Sequence, residues 1–259
     1  MGGRGAGVII RGGRTFVRMT LGGGGGGQPA MQGGGAPPNV QPGQPVPAIS
    51  LQQLQSMSGA EFANYLNGLK STPIDQRTYY NHDWDTQRFI ANIPELNQAP
   101  EVVDPQTFKT LSGKTLFRTV NATQYDTALD ICGRTLTSDV TTIGAGRMGD
   151  GFYFASSRSA SQQGYGRYQN DITKTATMAA KLNKNANVVQ ESTLISMLGN
   201  EPGVVRNAVL NMNSGGGWRY SGLNAYALYK GYNVVQGGGV YALLDRNAAT
   251  WSGGVQPVR

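Results

Sequence analysis

Gly149-Asp-Gly-Phe-Tyr-Phe-Ala-Ser-Ser157 sets glycines, an aromatic run and two hydroxyls within nine residues. Residues 151–155 read as a strand, because aromatic side chains suit a pleated, half-buried surface. Gly149 and Gly151 let a backbone come close to a ligand, and Tyr153 and Phe154 offer faces that stack on a planar ring. Ser156 and Ser157 follow as hydroxyl donors. Upstream, Lys114-Thr-Leu-Phe-Arg-Thr-Val120 alternates like a second half-buried strand, with Arg118 and Thr119 in it. A guanidinium among apolar neighbours is costly unless it reaches a partner, and it is the side chain best suited to clamp phosphate or carboxylate. Downstream, 173–182 fits a strand or a helix, while 233–236 and 240–244 read as the last two strands. Together these pieces describe a pocket for something planar that carries phosphates. Each piece also has a plain structural reading: Arg118 paired with Asp126 or Asp130, Tyr153 and Phe154 as ordinary core, and Gly237–Gly239 as a hairpin loop.

Helical spacing appears between and before the strands. Residues 191–198, 204–212 and 223–229 read as helices, so short strands with intervening helices predict a mixed α+β domain and not a doubly wound sheet. Leu51, Leu54, Met57, Phe62, Leu66 and Leu69 recur at helical intervals, and Ser58 with Glu61 forms a capping-box pattern. Thr72-Pro73 places a proline at a helix start, and another helix over 86–93 stops before Pro94. Trp84, Phe89 and Ile90 are expected in a core, with His82 at the surface or in a cap. Residues 1–50 hold 16 of the 38 glycines and 6 of the 12 prolines. They are read as a flexible arm, with Val8–Ile10 and Thr15–Leu21 able to form a strand pair on a partner. The expected organisation is an arm over 1–50, a helical region over 51–100 and an α+β domain over 101–259.

Composition narrows the chemistry. The net charge is +7, but the arm contributes Arg4, Arg11, Arg14 and Arg18 with no acid, which leaves 18 basic against 15 acidic groups in the rest. A nearly neutral body does not suit binding of long nucleic acid, although the Arg-Gly pieces of the arm are compatible with contact to RNA. One cysteine, Cys132, and one histidine, His82, exclude an internal disulfide framework and a Cys/His zinc site, so no metal is expected. No run of about 18 apolar residues marks a membrane span, and the start lacks the apolar core of a secretory signal. The expectation is a soluble intracellular protein, or one released by lysis.

On these residues the sequence resembles the ADP-ribosyltransferases. Leu-Phe-Arg118-Thr is similar to the Arg form of the family's first motif. The 149–161 stretch is similar to its second, an aromatic strand ending in small hydroxyl residues, with Ala155-Ser156-Ser157 in place of Ser-Thr-Ser. The tail, from Ala225 through Gly231-Tyr-Asn-Val-Val-Gln236 to Tyr241-Ala-Leu-Leu-Asp-Arg-Asn-Ala-Ala249, is similar to that of phage-encoded members. The opening Met-Gly-Gly-Arg-Gly and Asp85-Thr-Gln-Arg-Phe89 are also similar to phage-borne proteins. The resemblance implies a split, mixed sheet and NAD as the bound nucleotide. It implies catalytic roles for Arg118, Tyr153 and Gln236, with Arg118, Thr119, Gly151, Tyr153, Ser156 and Ser157 holding NAD. The acceptor would be a host or phage protein, or an RNA, and residues 1–50 would meet other virion proteins. The third motif departs from the family: Gln-x-Glu would place its acid at 238, where this chain has Gly238. An amide supplies no negative charge to an oxocarbenium-like state, and Glu191 and Glu201, the acids that could supply it from elsewhere, do not match the family's positions. The alternative is a virion structural or interaction protein whose fold has lost its chemistry.

Overall fold

The computed structural model describes residues 7–11, 14–18, 46–70, 85–98, 100–121, 144–146, 149–166, 175–213, 220–254 and 256–257. Thr72-Pro73, His82, Trp84, Asp126, Asp130 and Cys132 lie outside them. Within the arm, β1 (Gly7–Arg11) and β2 (Arg14–Arg18) pair antiparallel with Arg11 opposite Arg14, so the expected strand pair forms within the chain. Val46 and Ile49, on the arm side of the boundary at 50, are buried.

Two capping boxes start the helical part. Ser50 Oγ accepts from Gln53 N at 3.1 Å and opens α1 (Leu51–Ser56); Ser58 Oγ accepts from Glu61 N at 3.3 Å and opens α2 (Gly59–Leu69), while Glu61 Oε2 accepts from Ser58 N at 2.7 Å. The second box is the one the sequence predicts. Next come α3 (Asp85–Ala91), a 3₁₀ turn at Pro94–Asn97, β3 (Val102–Val103) and α4 (Pro105–Thr110). The strands β4 (Thr115–Asn121), β5 (Gly144–Gly146) and β6 (Gly149–Ala155) precede α5 (Arg158–Gly166). After β7 (Thr175–Leu182) and β8 (Val188–Gln190), the chain forms α6 (Glu191–Gly199), α7 (Gly203–Leu210) and α8 (Leu223–Tyr229). It ends with β9 (Val234–Gly237), β10 (Val240–Leu243), a 3₁₀ turn at Arg246–Ala248, β11 (Ala249–Ser252) and β12 (Gln256–Pro257).

The main sheet is mixed and runs β3-β11-β7-β4-β6-β10-β9-β8, with β12 on β7 and β5 on β6. The pairs β3–β11 and β8–β9 are parallel and the others antiparallel. The architecture is the α+β class expected from the sequence. Its central joint is thin. β4 pairs with β7 from Thr115↔Lys181 to Asn121↔Thr175, but meets β6 only at Phe117↔Ala155. The two halves curl about that joint. In a flat sheet β6 and β11 would stand about 14 Å apart, three strand spacings. Instead the Trp251 ring of β11 lies edge-on to Phe154 at 5.1 Å and to Phe152 at 6.0 Å. Leu116, Met178, Ala180, Tyr241 and Leu243 complete this inter-sheet core.

The other face of β9 and β10 carries Val235 and Ala242 and packs beneath the helices, against Leu54, Phe62, Leu66, Leu194 and Tyr226. Helical residues before 100 and strand residues after it share this second core, so packing does not break at 100. Glu201 ties α8 to the turn before α7: its Oε1 accepts from the Tyr226 hydroxyl at 2.8 Å and from Lys230 Nζ at 2.6 Å. Burial raises the Glu201 pKa, but the Lys230 and Tyr226 hydrogen bonds outweigh it and hold the carboxyl below its ordinary 4.5. A depressed folded-state pKa contributes stability that is present above 4.5 and lost as pH falls through the folded value. Thermal melts between roughly pH 3 and 6 should therefore drop more steeply on acidification for the parent than for Glu201→Gln. Parallel slopes would show that this cluster adds no acid sensitivity.

Candidate functional site

The strand residues singled out by sequence meet where the sheet parts. A continued β4–β6 register past Phe117↔Ala155 would set Thr119 opposite Tyr153. There the Arg118 guanidinium takes over: its Nη1 donates to the Tyr153 carbonyl at 3.2 Å, and its Cζ lies 5.7 Å from the Phe152 ring centre. The side chain thus donates to a strand carbonyl beyond the point where the β4–β6 pairing stops. Arg118 is 8% exposed. Arg246 lies 4.8 Å from the same Phe152 ring.

Alternation fixes which side chains share a face. Phe152 and Phe154 point into the inter-sheet core, whereas Tyr153 packs toward the helices and is half-buried. The structure therefore brings Arg118 to the backbone of Tyr153 and not to its ring. On β9, Val234 faces between the sheets and Val235 faces the helices. Gln236, opposite Tyr241 and Gln190, follows Val234 onto the inter-sheet face.

Three of the expected contacts have local structural duties. Thr119 Oγ1 shares hydrogen bonds with Ser161 Oγ at 2.9 Å and Thr177 Oγ1 at 3.2 Å, a buried hydroxyl group that fastens α5 to β4 and β7. The exposed Ser157 accepts from Ala160 N at 3.2 Å and caps α5. At Gly151 an added Cβ would stand 3.2 Å from the Leu243 carbonyl, so glycine relieves crowding between β6 and β10. Ser156 is exposed, and its N–H donates to the Gly239 carbonyl at 3.4 Å, tying the end of the aromatic strand to the β9–β10 hairpin. That hairpin turns through Gly238 and Gly239 at φ 59° and 78°. A two-residue loop with both φ positive is the type I′ turn that matches strand twist, which is the hairpin reading of these glycines.

One feature escaped the sequence reading. Lys114 Nζ donates to the Tyr241 hydroxyl and sits 4.6 Å from that ring's centre. The i, i+2 spacing of Lys114, Leu116 and Arg118 on one strand face was the available signal. Glu191, which the sequence offers with Glu201 as an acid away from position 238, is brought to the hairpin. Its Oε2 lies 2.3 Å from where a Cβ on Gly237 would be, so its carboxylate rests on the hairpin strand next to Gln236. Nothing in the linear spacing of 191 and 237 announces that meeting; only the parallel β8–β9 pairing does. Among the described residues no group of three or more His, Cys, Asp or Glu is arranged to hold a metal ion, and no helix is long and apolar enough to cross a membrane. Compared with protein-family models, curated proteins and solved structures, the chain matches none.

Proposed function

We propose that the chain is a phage-type ADP-ribosyltransferase-like protein that binds NAD and transfers ADP-ribose to a host or viral acceptor, in the virion or the host cytoplasm. The observation that carries this reading is the parted β4–β6 joint, with the Arg118 guanidinium on the Tyr153 carbonyl. The gap between parted strands is where one ligand reaches both sheet faces. In this reading the Arg118 guanidinium, which also donates to the Tyr153 carbonyl, binds the NAD phosphates. The half-buried Tyr153 ring stacks on nicotinamide, and the exposed Ser156 hydroxyl bonds a ribose. Thr119, Gly151 and Ser157 support the site from the framework, and we assign Gln236, on the inter-sheet face, to the acceptor.

A second reading, a virion structural or interaction protein, is favoured by one observation: Gly238 stands at φ 59° in a tight turn, so the hairpin offers no carboxylate at that position. The Gly/Pro-rich residues before 46 would then meet other virion proteins. Incubating the protein with labelled NAD and host lysate separates the two. Label on a protein or RNA band is the expected result. No label, with NAD binding intact by calorimetry, supports the second reading; no binding removes NAD from both.

A further inference from the structure

We infer that Glu191 supplies the carboxylate that the hairpin lacks, and the inference rests on the ADP-ribosyltransferase reading. Glu191 follows β8 directly and opens α6. Because β8 runs parallel to β9 with Gln190 opposite Gln236, the next residue falls beside Gly237. The fit is close: a Cβ on Gly237 would lie 2.3 Å from Glu191 Oε2, 2.9 Å from its Cβ and 3.2 Å from its Cδ. Only glycine leaves room for this carboxylate on the strand.

The face is the relevant one. Gly237 pairs with Val240, and Val240 with Ala155, so the three form one row across β9, β10 and β6. The next row is Val235, Ala242 and Tyr153, on the same helix-side face. Glu191, lying against Gly237, and the Tyr153 ring thus share a face, and the backbones of Gly237 and Tyr153 stand about 12 Å apart, two strand spacings and one row. Ser156, bonded through its N–H to Gly239, closes the same end. Gln236 lies on the other side of β9, so an acid at 236 would not reach this position.

The chemistry uses the charge. When the bond between ribose C1′ and nicotinamide nitrogen breaks, its electron pair leaves with neutral nicotinamide and positive charge develops on the ribose. Glu191 accepts a hydrogen bond from a ribose hydroxyl and offsets that charge. Water or an acceptor hydroxyl then forms the new bond at C1′ and loses its proton to solvent, giving ADP-ribose or its adduct with no change of oxidation state.

The test follows NAD hydrolysis, NAD affinity and the NAD-induced rise in melting temperature of the full chain. Glu191→Gln should cut turnover about 100-fold or more, with affinity changed less than about threefold, under 1 kcal/mol. Gly237→Ala, which keeps the carboxylate but forces it off the strand, should also lower turnover and stands in if Glu191→Gln does not fold. Turnover equal to the parent in a folded, NAD-binding Glu191→Gln overturns the role of Glu191 and leaves the wider reading intact. A parent that neither binds nor hydrolyses NAD overturns both.

Discussion

Replacing Trp251 by alanine is expected to lower stability by about 3–5 kcal/mol, the range for removing a large aromatic from a packed core. The indole is fully buried and touches both halves of the sheet. It sits on β11 yet packs edge-on to Phe152 and Phe154 of β6, and its Nε1 donates to the Arg246 carbonyl at 3.3 Å. Since β4 and β6 share a single pairing position, ladder hydrogen bonds contribute little to closing the halves. Side-chain packing closes them instead, and Trp251 is the largest fully buried side chain among the described residues. Removing it leaves a void that the surrounding strands fill only partly. At about 2–4 °C per kcal/mol for a chain of this size, the melting temperature should fall by roughly 6–20 °C. Trp251→Phe, which keeps the aromatic edge but loses the indole hydrogen bond, should fall less. A melt unchanged in Trp251→Ala would mean the two half-sheets are not held through this residue.

The same joint explains which parts of the fold were legible in sequence. Local chemistry was readable. Leu223–Tyr229 is helical at the limits its apolar spacing sets, and the Ser58–Glu61 pattern is a true capping box. Residues 175–182 were ambiguous for a physical reason: Thr177, Met178 and Ala180 are all buried, so an interior strand covered on both faces lacks the alternation that identifies a strand. Helix α4 was missed although Asp104 caps it through Gln106 N and Thr107 N and Pro105 occupies its first turn, a start signal the sequence does carry. In contrast, the parting of β4 from β6, the curl that brings Trp251 to Phe154 and the meeting of Glu191 with Gly237 depend on pairing between distant residues. No periodicity encodes them. The candidate site was therefore legible as a set of strands and side-chain types, but not as faces: the opposite orientations of Arg118 and the Tyr153 ring appear only once register is known.

Arg118 bridges the parted strands, and substitution should separate that contact from the proposed phosphate clamp. Arg118→Ala removes the donor to the Tyr153 carbonyl and the cation beside Phe152. A hydrogen bond from a charged group contributes about 1.5–3 kcal/mol, so its loss should lower the melting temperature even without ligand. Loss of NAD binding in that variant would then say little, because the gap between β4 and β6 is itself disturbed. Arg118→Lys is the sharper probe. An ammonium keeps the charge near Phe152 and retains a donor for the carbonyl, but it has no fork with which to hold a phosphate in two places. It should melt closer to the parent than Arg118→Ala does. NAD at about 100 times its dissociation constant should stabilise the parent by about 2.7 kcal/mol, a rise of roughly 5–10 °C. If the guanidinium clamps phosphate, Arg118→Lys should lose most of that rise while staying folded. If the lysine variant keeps the full rise, Arg118 serves only to bridge the parted strands, and the phosphates must be held by other groups, with Lys114 and Arg246 on the same face the next to replace.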